Sequence, residues 1–507
     1  MSGRSLDSIN LSAKQAYIAS LGRCLASLNQ SAHASRQKDN FQRSIRAMSI
    51  WGAYPWRRLD NLPRRISALS LLVRFLTIPL STINGVLYFS FKYLEYLPYR
   101  QFRKLDYSKR KVGVFSPTLH LKEFSDRSYT GFWGELKFLD SSLRADTAWF
   151  LIPYRPIGAS NRRIAREISH INQGEEFLLI PLAAFLSFGV LIEAIFQVLS
   201  FHAFIAKLFL LELINHSNDK LSYVLGFIDL GISLSRTELN RHFITSAMSG
   251  ENQLKNCIHL MEGQSWEIAL NDLSSHSNFG CWGVIHTPLR GEDSQILNYL
   301  LAINGKSLAE QMQGICCPGE LSLNYLRELG LTKKLLRLVE AQRFNHYREV
   351  QKFTYSNNSK KILYVADANL ETTKLFVGFS RSVIAKERNL DLQFFIQPHP
   401  SQVHLEFEML QKLDVAENRE FGLIIFGPQT SSFIQSEFGV SNIRIFSPFT
   451  EVSYSPLGVE CMIPRIEAID SVGDQIKNQF KLGVSADSIA IKDSSFTKWR
   501  LLIDELL

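Results

Sequence analysis

Short apolar runs alternate with longer helix-like segments from Val112 onward. The first series predicts four strands, at 112–117, 148–153, 257–261 and 281–285. Segments with helical periodicity lie between them, as at 131–142 and 266–273. Strands that alternate with helices are typical of a parallel sheet with crossover helices.

A second series follows a helix-like, basic region at 321–352 and a polar run rich in Ser and Asn at 353–361, which is the predicted linker. Its predicted strands are 362–366, 393–397, 422–426 and 442–446. Two such series predict an α/β fold of two facing Rossmann-like domains, with ligands in the cleft at the carboxyl ends of the strands. The predicted organisation is a first domain at 111–350, a second at 361–490 and a C-terminal helix at 491–507.

Two apolar blocks interrupt this pattern. Residues 75–91 and 177–192 carry no charge, and the second block continues beyond Glu193 to residue 206. A helix that spans a bilayer needs roughly 20 apolar residues, so both blocks are short for that role. Two interpretations stay open: buried core helices, or a helix or helical hairpin that dips into the cytosolic leaflet. Glu193 and His202 argue against a simple crossing, because an ionised carboxylate is costly at bilayer depth.

Composition and charge add a candidate surface to this picture. Hydrophobic residues make up 46% of the chain and charged residues 21%, which is ordinary for a globular protein. The net charge of +8 favours anionic partners. Lys and Arg concentrate in 43–111, which is also apolar and aromatic, and this favours a membrane surface over nucleic acid. We therefore predict a helical, basic and apolar extension at 1–110, an apolar helical insertion at 176–213, and a cytoplasmic protein that is peripheral or monotopic at the inner face of the cell membrane.

The six cysteines form no CxxC pair and no Cys/His cluster, which argues against a zinc site and favours reduced thiols. The chain also lacks Walker A, GxGxxG, GxSxG, HExxH and DxD patterns. We therefore expect no metal and no cofactor, and a nucleotide-sugar donor would be a substrate.

In the second series, His399 lies between Pro398 and Pro400 at the end of a predicted strand. Two prolines fix the backbone there, and a histidine in that position can donate to a phosphate oxygen or protonate a leaving phosphate. The alternative is a surface histidine in a proline turn.

A second motif, Gly-Pro-Gln-Thr-Ser-Ser-Phe at 427–433, follows the next long strand and opens a helix. Its hydroxyls and free N–H groups can form an anion site, although ordinary helix capping explains them equally well. We expect this motif and His399 at neighbouring strand ends of one sheet. The predicted donor-binding residues are Asp367, His399, Pro400, Gln429, Thr430, Ser431 and Ser432.

In the first series, Glu262-Gly263-Gln264-Ser265-Trp266-Glu267 follows a strand and opens a helix. Sugar transfer with inversion needs a carboxylate that takes the acceptor proton, and Glu262 at the strand tip is the candidate base. Glu267 is either a second candidate base or a partner of the helix dipole. Trp266 either packs against an acceptor ring or belongs to the core. His286, at the next strand end, is either an acceptor-side residue or part of a capping turn.

These motifs resemble a known family. The runs at 262–267, 286–288, 397–400 and 430–432 are similar to bacterial surface carbohydrate biosynthesis proteins of the O-antigen type. The His-Pro and Ser-Ser pairs also resemble motifs of bacterial sialyltransferases and capsular Kdo transferases. The resemblance covers about 112–460, and Met261 stands where those enzymes have a second acid.

The resemblance implies a GT-B fold, CMP-activated acidic sugars as donors and no metal. It also implies Glu262 as the base, with His399, Ser431 and Ser432 on the CMP phosphate. The resulting hypothesis is a metal-independent glycosyltransferase that moves a sugar from a nucleotide donor to a lipid-linked oligosaccharide or growing surface polysaccharide at the membrane. The alternatives are a non-catalytic scaffold or export partner in polysaccharide assembly, and an integral membrane protein with a soluble domain.

Overall fold

The structure is a computed structural model. It describes residues 68–125, 133, 145–154, 159–174, 176–214, 231–248, 254–262, 264–275, 279–286, 299–300, 302–303, 306–341, 354–355, 359–366, 370–386, 388, 391–399, 402–403, 405–407, 410–412, 420–427, 443–446, 465–466 and 497–507. The first 67 residues of the predicted extension and all but one residue of the predicted helix at 131–142 lie outside this set.

The described helices are α1 (Ala68–Glu95), α2 (Lys122–Ser125), α3 (Asn161–Gln173), α4 (Phe188–Ile214), α5 (Gly231–Met248), α6 (Ser265–Ser274), α7 (Leu308–Gln311), α8 (Glu320–Glu328), α9 (Leu370–Lys386) and α10 (Thr497–Leu506). Short 3-10 segments occupy Leu97–Lys104, Thr118–His120, Leu182–Phe185 and Lys333–Leu335.

The described strands of the first half are β1 (Val112–Pro117), β2 (Thr147–Ile152), β3 (Leu179–Pro181), β4 (Asn256–Leu260), β5 (Gly280–Val284), β6 (Ala302–Ile303), β7 (Lys306–Ser307), β8 (Gly314–Cys317) and β9 (Leu336–Leu338). Those of the second half are β10 (Thr354–Tyr355), β11 (Lys361–Val365), β12 (Gln393–Gln397), β13 (Gln411–Lys412), β14 (Glu420–Phe421), β15 (Leu423–Phe426), β16 (Ile443–Phe446) and β17 (Arg465–Ile466).

Two parallel sheets confirm the predicted α/β class. The first has the order β3-β2-β1-β4-β5-β8-β9 and the second the order β13-β12-β11-β15-β16-β17. All eight strands predicted in the two series are present to within one residue at either end. Their apolar runs are continuous because both faces of the sheet are covered: every residue of β1, β4 and β15 is buried. Strands β3, β8 and β9 of the first sheet were not predicted.

The long helix-like region predicted at 321–352 is confirmed at 321–328 and wrong for the described residues after it, which form no α-helix. Helix α8 ends near Glu328, and β9 follows at Leu336. Gly330 has φ +98°, which favours glycine, and its N–H donates to the Arg327 carbonyl at 2.9 Å. The N–H of Leu331 reaches the Leu326 carbonyl at 3.0 Å, which completes a Schellman motif that terminates the helix.

The predicted helical insertion at 176–213 is also only partly helical. Leu179–Pro181 forms β3 at the edge of the first sheet, where proline is tolerated because one side of the strand needs no ladder N–H. A 3-10 segment follows, and the helix proper begins only at Phe188. The first part of this apolar block is therefore a buried strand.

The described part of the predicted extension at 1–110 packs into the first sheet's core. Phe89 of α1 is fully buried there, as are Tyr99 and Phe102 of the following 3-10 segment. The Tyr99 hydroxyl donates to Asn161 Oδ1 at 3.0 Å, and the Asn161 amide donates to the Glu95 carbonyl at 3.1 Å. This segment is thus an integral part of the unit that is built around the first sheet and its core, which we call the first body.

Helix α10 follows the whole second sheet in the sequence but packs against the first body. Trp499 is fully buried in the same core, and its indole N–H donates to the Glu340 carbonyl at 2.8 Å. The Glu340 carboxylate accepts the N–H groups of Lys498 at 2.9 Å and Trp499 at 3.1 Å, and so caps the helix. The Asn256 amide donates to the Leu506 carbonyl at 2.6 Å.

Candidate functional site

The carboxyl ends of β4 and β5 lie side by side, because these strands are parallel neighbours. Glu262 and His286 each follow a strand end by two residues. Glu262 Oε1 lies 3.7 Å from His286 Nε2, and the two side chains are 22% and 11% exposed. The structure therefore brings together the predicted base and a predicted acceptor-side residue in one half-buried pair.

Glu267 is fully buried and holds the backbone that presents Glu262. Both of its carboxylate oxygens lie 3.1 Å from the N–H of Glu262, and one accepts the N–H of Gln264 at 3.1 Å. The Gln264 bond belongs to a capping box at the start of α6. Glu267 thus caps the start of α6 and positions the backbone of Glu262. Its carboxylate has no exposed surface that could contact an acceptor.

Tyr299 is the third donor to Glu267, because its hydroxyl hydrogen-bonds to Oε2 of that carboxylate. Burial, aided by the charge of Glu262, raises the pKa of Glu267 to about 8, while the hydrogen bonds from these donors oppose the rise. Burial also raises the pKa of Tyr299 well above its ordinary value. The sequence carried no signal for Tyr299, which lies 32 residues from Glu267 and outside any motif.

Trp266 packs in the core of the first body and is 4% exposed, in agreement with the core alternative. Its indole contacts the imidazole of His259 edge-on, with centroids 5.9 Å apart. His259 Nδ1 lies 2.8 Å from the Leu260 carbonyl, and the Asn271 amide lies 3.2 Å from Nε2. Burial lowers the pKa of His259 to about 4, so this histidine is neutral at physiological pH and serves the packing beneath the site.

A histidine that the sequence reasoning missed lies past the end of β1, which is the other neighbour of β4. His120 Nδ1 is 3.0 Å from Ser116 Oγ, which also accepts the indole N–H of Trp133 at 2.9 Å. Ser116 and His120 are buried. The run Ser-Pro-Thr-Leu-His at 116–120, which ends the first strand and continues past it, was the available signal.

In the second sheet, His399 follows the end of β12 by two residues and is half-buried. Its carbonyl accepts the N–H of Gln402 at 2.7 Å, and Gln402 Oε1 accepts the hydroxyl of Thr373 at 3.1 Å. These bonds anchor the turn after β12 to α9. Asp367, Pro400, Gln429, Thr430, Ser431 and Ser432 lie outside the described residues.

The strands that carry the two predicted phosphate motifs belong to one sheet and end at the same edge. They are not neighbours, because β11 lies between β12 and β15 and pairs in parallel with both. The predicted neighbouring strand ends are therefore wrong in this detail, and the two ends are about 10 Å apart, twice the usual strand spacing.

Within the described residues, no group of three or more His, Cys, Asp or Glu side chains is placed to hold a metal ion. Cys257, Cys281, Cys316 and Cys317 are buried free thiols. Burial raises the pKa of Cys317 to about 12.

No protein-family model matches the chain, and no curated protein matches it in sequence. Among solved structures, the UDP-GlcNAc 2-epimerase from Methanocaldococcus jannaschii aligns with 77% of this chain and 99% of its own, at 9% identity and TM-score 0.39. The MnaA–UDP complex from S. aureus aligns over 78% and 95%, at 10% identity and TM-score 0.42. The spinosyn rhamnosyltransferase SpnG aligns over 78% and 95%, at 10% identity and TM-score 0.32.

Proposed function

We propose that this protein is a glycosyltransferase of GT-B type that moves a sugar from a nucleotide donor to an acceptor hydroxyl without a metal ion. The observation that carries the proposal is the Glu262–His286 pair, half-buried at two adjacent strand ends and 3.7 Å apart. In open parallel sheets, ligands bind outside the carboxyl ends of the strands. A carboxylate in that place can accept a proton from a bound hydroxyl.

The proposed chemistry assigns one task to each residue. Glu262 takes the proton of the acceptor hydroxyl while the oxygen of that hydroxyl attacks the anomeric carbon of the donor sugar. The bond from the anomeric carbon to the nucleotide phosphate oxygen breaks, and the nucleotide leaves. His286, with its Nε2 3.7 Å from Glu262 Oε1, pairs with the carboxylate and orients it toward the acceptor. Glu267 keeps the Glu262 backbone in place through the two hydrogen bonds at 3.1 Å.

The donor side of the proposal rests on the second sheet. His399 lies at the carboxyl edge, where an imidazolium can neutralise charge on the departing nucleotide phosphate. Ser431, Ser432 and the neighbouring residues at 429–430 would supply hydroxyl and N–H donors to the same phosphate. CMP-linked sugars are the donor class that the sequence motifs favour. A lipid-linked or growing polysaccharide acceptor at the cytosolic membrane face is the acceptor class.

Two experiments test this function. Thermal-shift titrations with CMP, UDP, GDP and dTDP should show stabilisation by a preferred nucleotide, and His399→Ala should weaken that stabilisation. The matched control is His170→Ala, because His170 is an exposed histidine of α3. Unchanged nucleotide stabilisation in the His399 variant would remove the phosphate assignment.

The second experiment is turnover of the sugar donor that carries the preferred nucleotide. Glu262→Gln should retain nucleotide binding and lose transfer by about 100-fold or more, the usual contribution of a general base. Glu505→Gln, an exposed carboxylate of α10, is the control. Nucleotide binding without transfer by the unsubstituted protein to any acceptor would favour the non-catalytic scaffold or export partner.

A further inference from the structure

Exposed large apolar side chains concentrate on one part of the molecule. Thirteen of the seventeen found among the described residues lie within 80–97 or 188–214. The other four are scattered singly, as is normal for a soluble protein surface. We call the concentrated set the α1–α4 face.

Each helix contributes a stripe with helical spacing. The exposed residues of α1 are Leu80, Ile83, Leu87, Phe91 and Leu94, and those of the α4 stripe are Phe188, Ile192, Phe196, Leu199, Leu210 and Ile214. Steps of three and four residues, and one step of eleven from Leu199 to Leu210, which is about three turns, keep each set on one side of its helix. A helix of 27 residues is about 40 Å long, so the face is extended.

Among the side chains that the structure describes, few polar groups interrupt the α1–α4 face. Asn84 and Ser90 are exposed on α1, and the Ser90 hydroxyl is hydrogen-bonded to the Val86 carbonyl at 3.0 Å. On α4, Glu193 and Lys207 are displaced around the helix from the apolar stripe, by about 90° and 50° from its centre at 100° per residue. Protein interfaces carry about one hydrogen bond per 100–200 Å², and this face offers very few donors or acceptors for one.

The opposite sides of both helices are fixed to the first body. Leu191, Ala194 and Val198 of α4 are buried in its main core, as is Phe89 of α1. Helices α1, α4 and α5 pack against one another. Helix α4 is long and apolar enough to cross a membrane by length and composition, and 38% of this apolar stretch is buried inside the protein. A spanning helix would have to remove these core contacts.

One end of the face carries basic and aromatic residues. The Arg100 guanidinium lies 4.7 Å from the Tyr93 ring, and Tyr93 contacts Phe188 with centroids 6.2 Å apart. Arg103 and Lys104 are exposed on the same 3-10 segment. Tyrosines beside Lys and Arg are typical of the headgroup region of a membrane, where the rings lie among the lipid glycerols and the cations meet lipid phosphates.

We propose that the α1–α4 face docks into the surface of an anionic bilayer, with both helices lying in the plane of the membrane. The apolar stripes enter the acyl boundary, and Arg100, Arg103 and Lys104 contact phosphate headgroups. The proposal is independent of the glycosyl transfer proposed above, because it rests on surface residues that are distinct from the candidate site. It also accounts for a helix that has membrane-like composition but is packed on a soluble body.

The first test is sedimentation of the full chain with vesicles of phosphatidylcholine, alone or mixed equally with phosphatidylglycerol. We expect binding to the mixed vesicles. Leu87→Ser combined with Phe196→Ser should lower the partition coefficient by roughly 100-fold, about tenfold for each large side chain withdrawn from lipid. Leu375→Ser combined with Leu501→Ser, two exposed positions away from the face, should leave it unchanged. Arg103→Glu combined with Lys104→Glu should weaken binding only to the anionic vesicles.

Binding equal to the parent protein in the Leu87/Phe196 variant would overturn the proposal. The proposal would also be overturned if the parent protein did not bind vesicles but formed dimers in analytical ultracentrifugation, and the Leu87/Phe196 variant were monomeric. The face would then be a contact between copies of the chain.

A second test separates lying in the plane from crossing. Gly189→Cys and Lys207→Cys lie on the same flank near opposite ends of α4, and a Cβ at Gly189 meets only Ser187 Oγ, at 3.9 Å. A membrane-impermeant maleimide added outside vesicle-bound protein should label both cysteines, with the unsubstituted chain as the blank. Labelling of only one of them would show a crossing helix and overturn the in-plane arrangement.

Discussion

Removal of the Glu267 carboxylate gives the sharpest test of how the candidate site is supported. In Glu267→Ala, the N–H groups of Glu262 and Gln264 and the hydroxyl of Tyr299 lose their acceptor. A buried donor without a partner costs about 1–3 kcal/mol. Three donors would cost roughly 3–6 kcal/mol, because water that enters the vacated space recovers part of the loss.

The pH dependence of stability adds an independent signature. Burial raises the pKa of Glu267 to about 8, above its ordinary value of 4.5, so between these values the folded protein holds a proton that the unfolded chain releases. Stability from this group is therefore fully present below about pH 4.5 and is lost as pH rises through 8, by roughly 1 kcal/mol per pH unit. Glu267→Gln cannot titrate, so its stability should vary less between pH 5 and 8 than that of the parent.

The measurement is hydrogen exchange of the peptide that covers 258–275, combined with urea denaturation followed by tryptophan fluorescence. Local exchange is needed because a chain with two large parallel sheets need not unfold in one step. Glu320→Ala is the matched control, since Glu320 is an exposed first-turn glutamate of α8 in the same body. The reasoning would be refuted if Glu267→Ala lost less than about 1 kcal/mol of unfolding free energy and the amides of Glu262 and Gln264 stayed protected from exchange. It would also be refuted if the stability of the parent and that of Glu267→Gln changed with pH in parallel.

Two further predictions concern the scaffold. Gly314→Ala should lower the melting temperature, because a Cβ there would lie 2.2 Å from the Trp282 ring and overpacking costs about 1–3 kcal/mol or more. Gly378→Ala, in the open middle of α9, should raise the melting temperature, because it should add up to about 1 kcal/mol to the free energy of unfolding. Equal shifts in thermal unfolding of these two variants would contradict this account. Glu340→Ala should cost about 2 kcal/mol and accelerate hydrogen exchange throughout α10, because two N–H groups of its first turn lose their acceptor. Unaltered exchange in 497–507 would show that core packing alone holds the helix.

The sequence was informative where both faces of a strand are buried. The run Gln393–Gln397 has three buried apolar residues at its centre and was found at its observed bounds. The strands that escaped prediction are short or lie near the edge of the first sheet. Leu336–Leu338 shows only one buried residue in three, and the Leu- and Lys-rich composition around it is that of a helix. Helix α8 ends where Gly330 adopts its left-handed conformation, and the 3-10 segment Lys333–Leu335 leads from there into β9.

The candidate site divides in the same way. Glu262 and His286 were predicted because each comes two residues after a strand, and the parallel order of β4 and β5 brings them together. The hydrogen bond from Tyr299 to Glu267, which helps to hold the carboxylate that positions Glu262, joins residues far apart in the sequence. Hydrophobic periodicity does not encode such a contact. The separation of β12 from β15 by β11 likewise follows from strand order, and sequence order alone gave the wrong neighbour.

The return of α10 to the first body has a consequence for how the protein is made. Glu340 and the helix that it caps are separated by 158 residues, and the whole second sheet lies between them in the sequence. Domains generally fold as units during synthesis, amino-terminal first, but here the slot for Trp499 stays open while the second sheet is translated. The unit built on the second sheet can therefore fold before the first body is complete. During that interval, the uncovered apolar slot is a surface to which a chaperone or another nascent chain can bind.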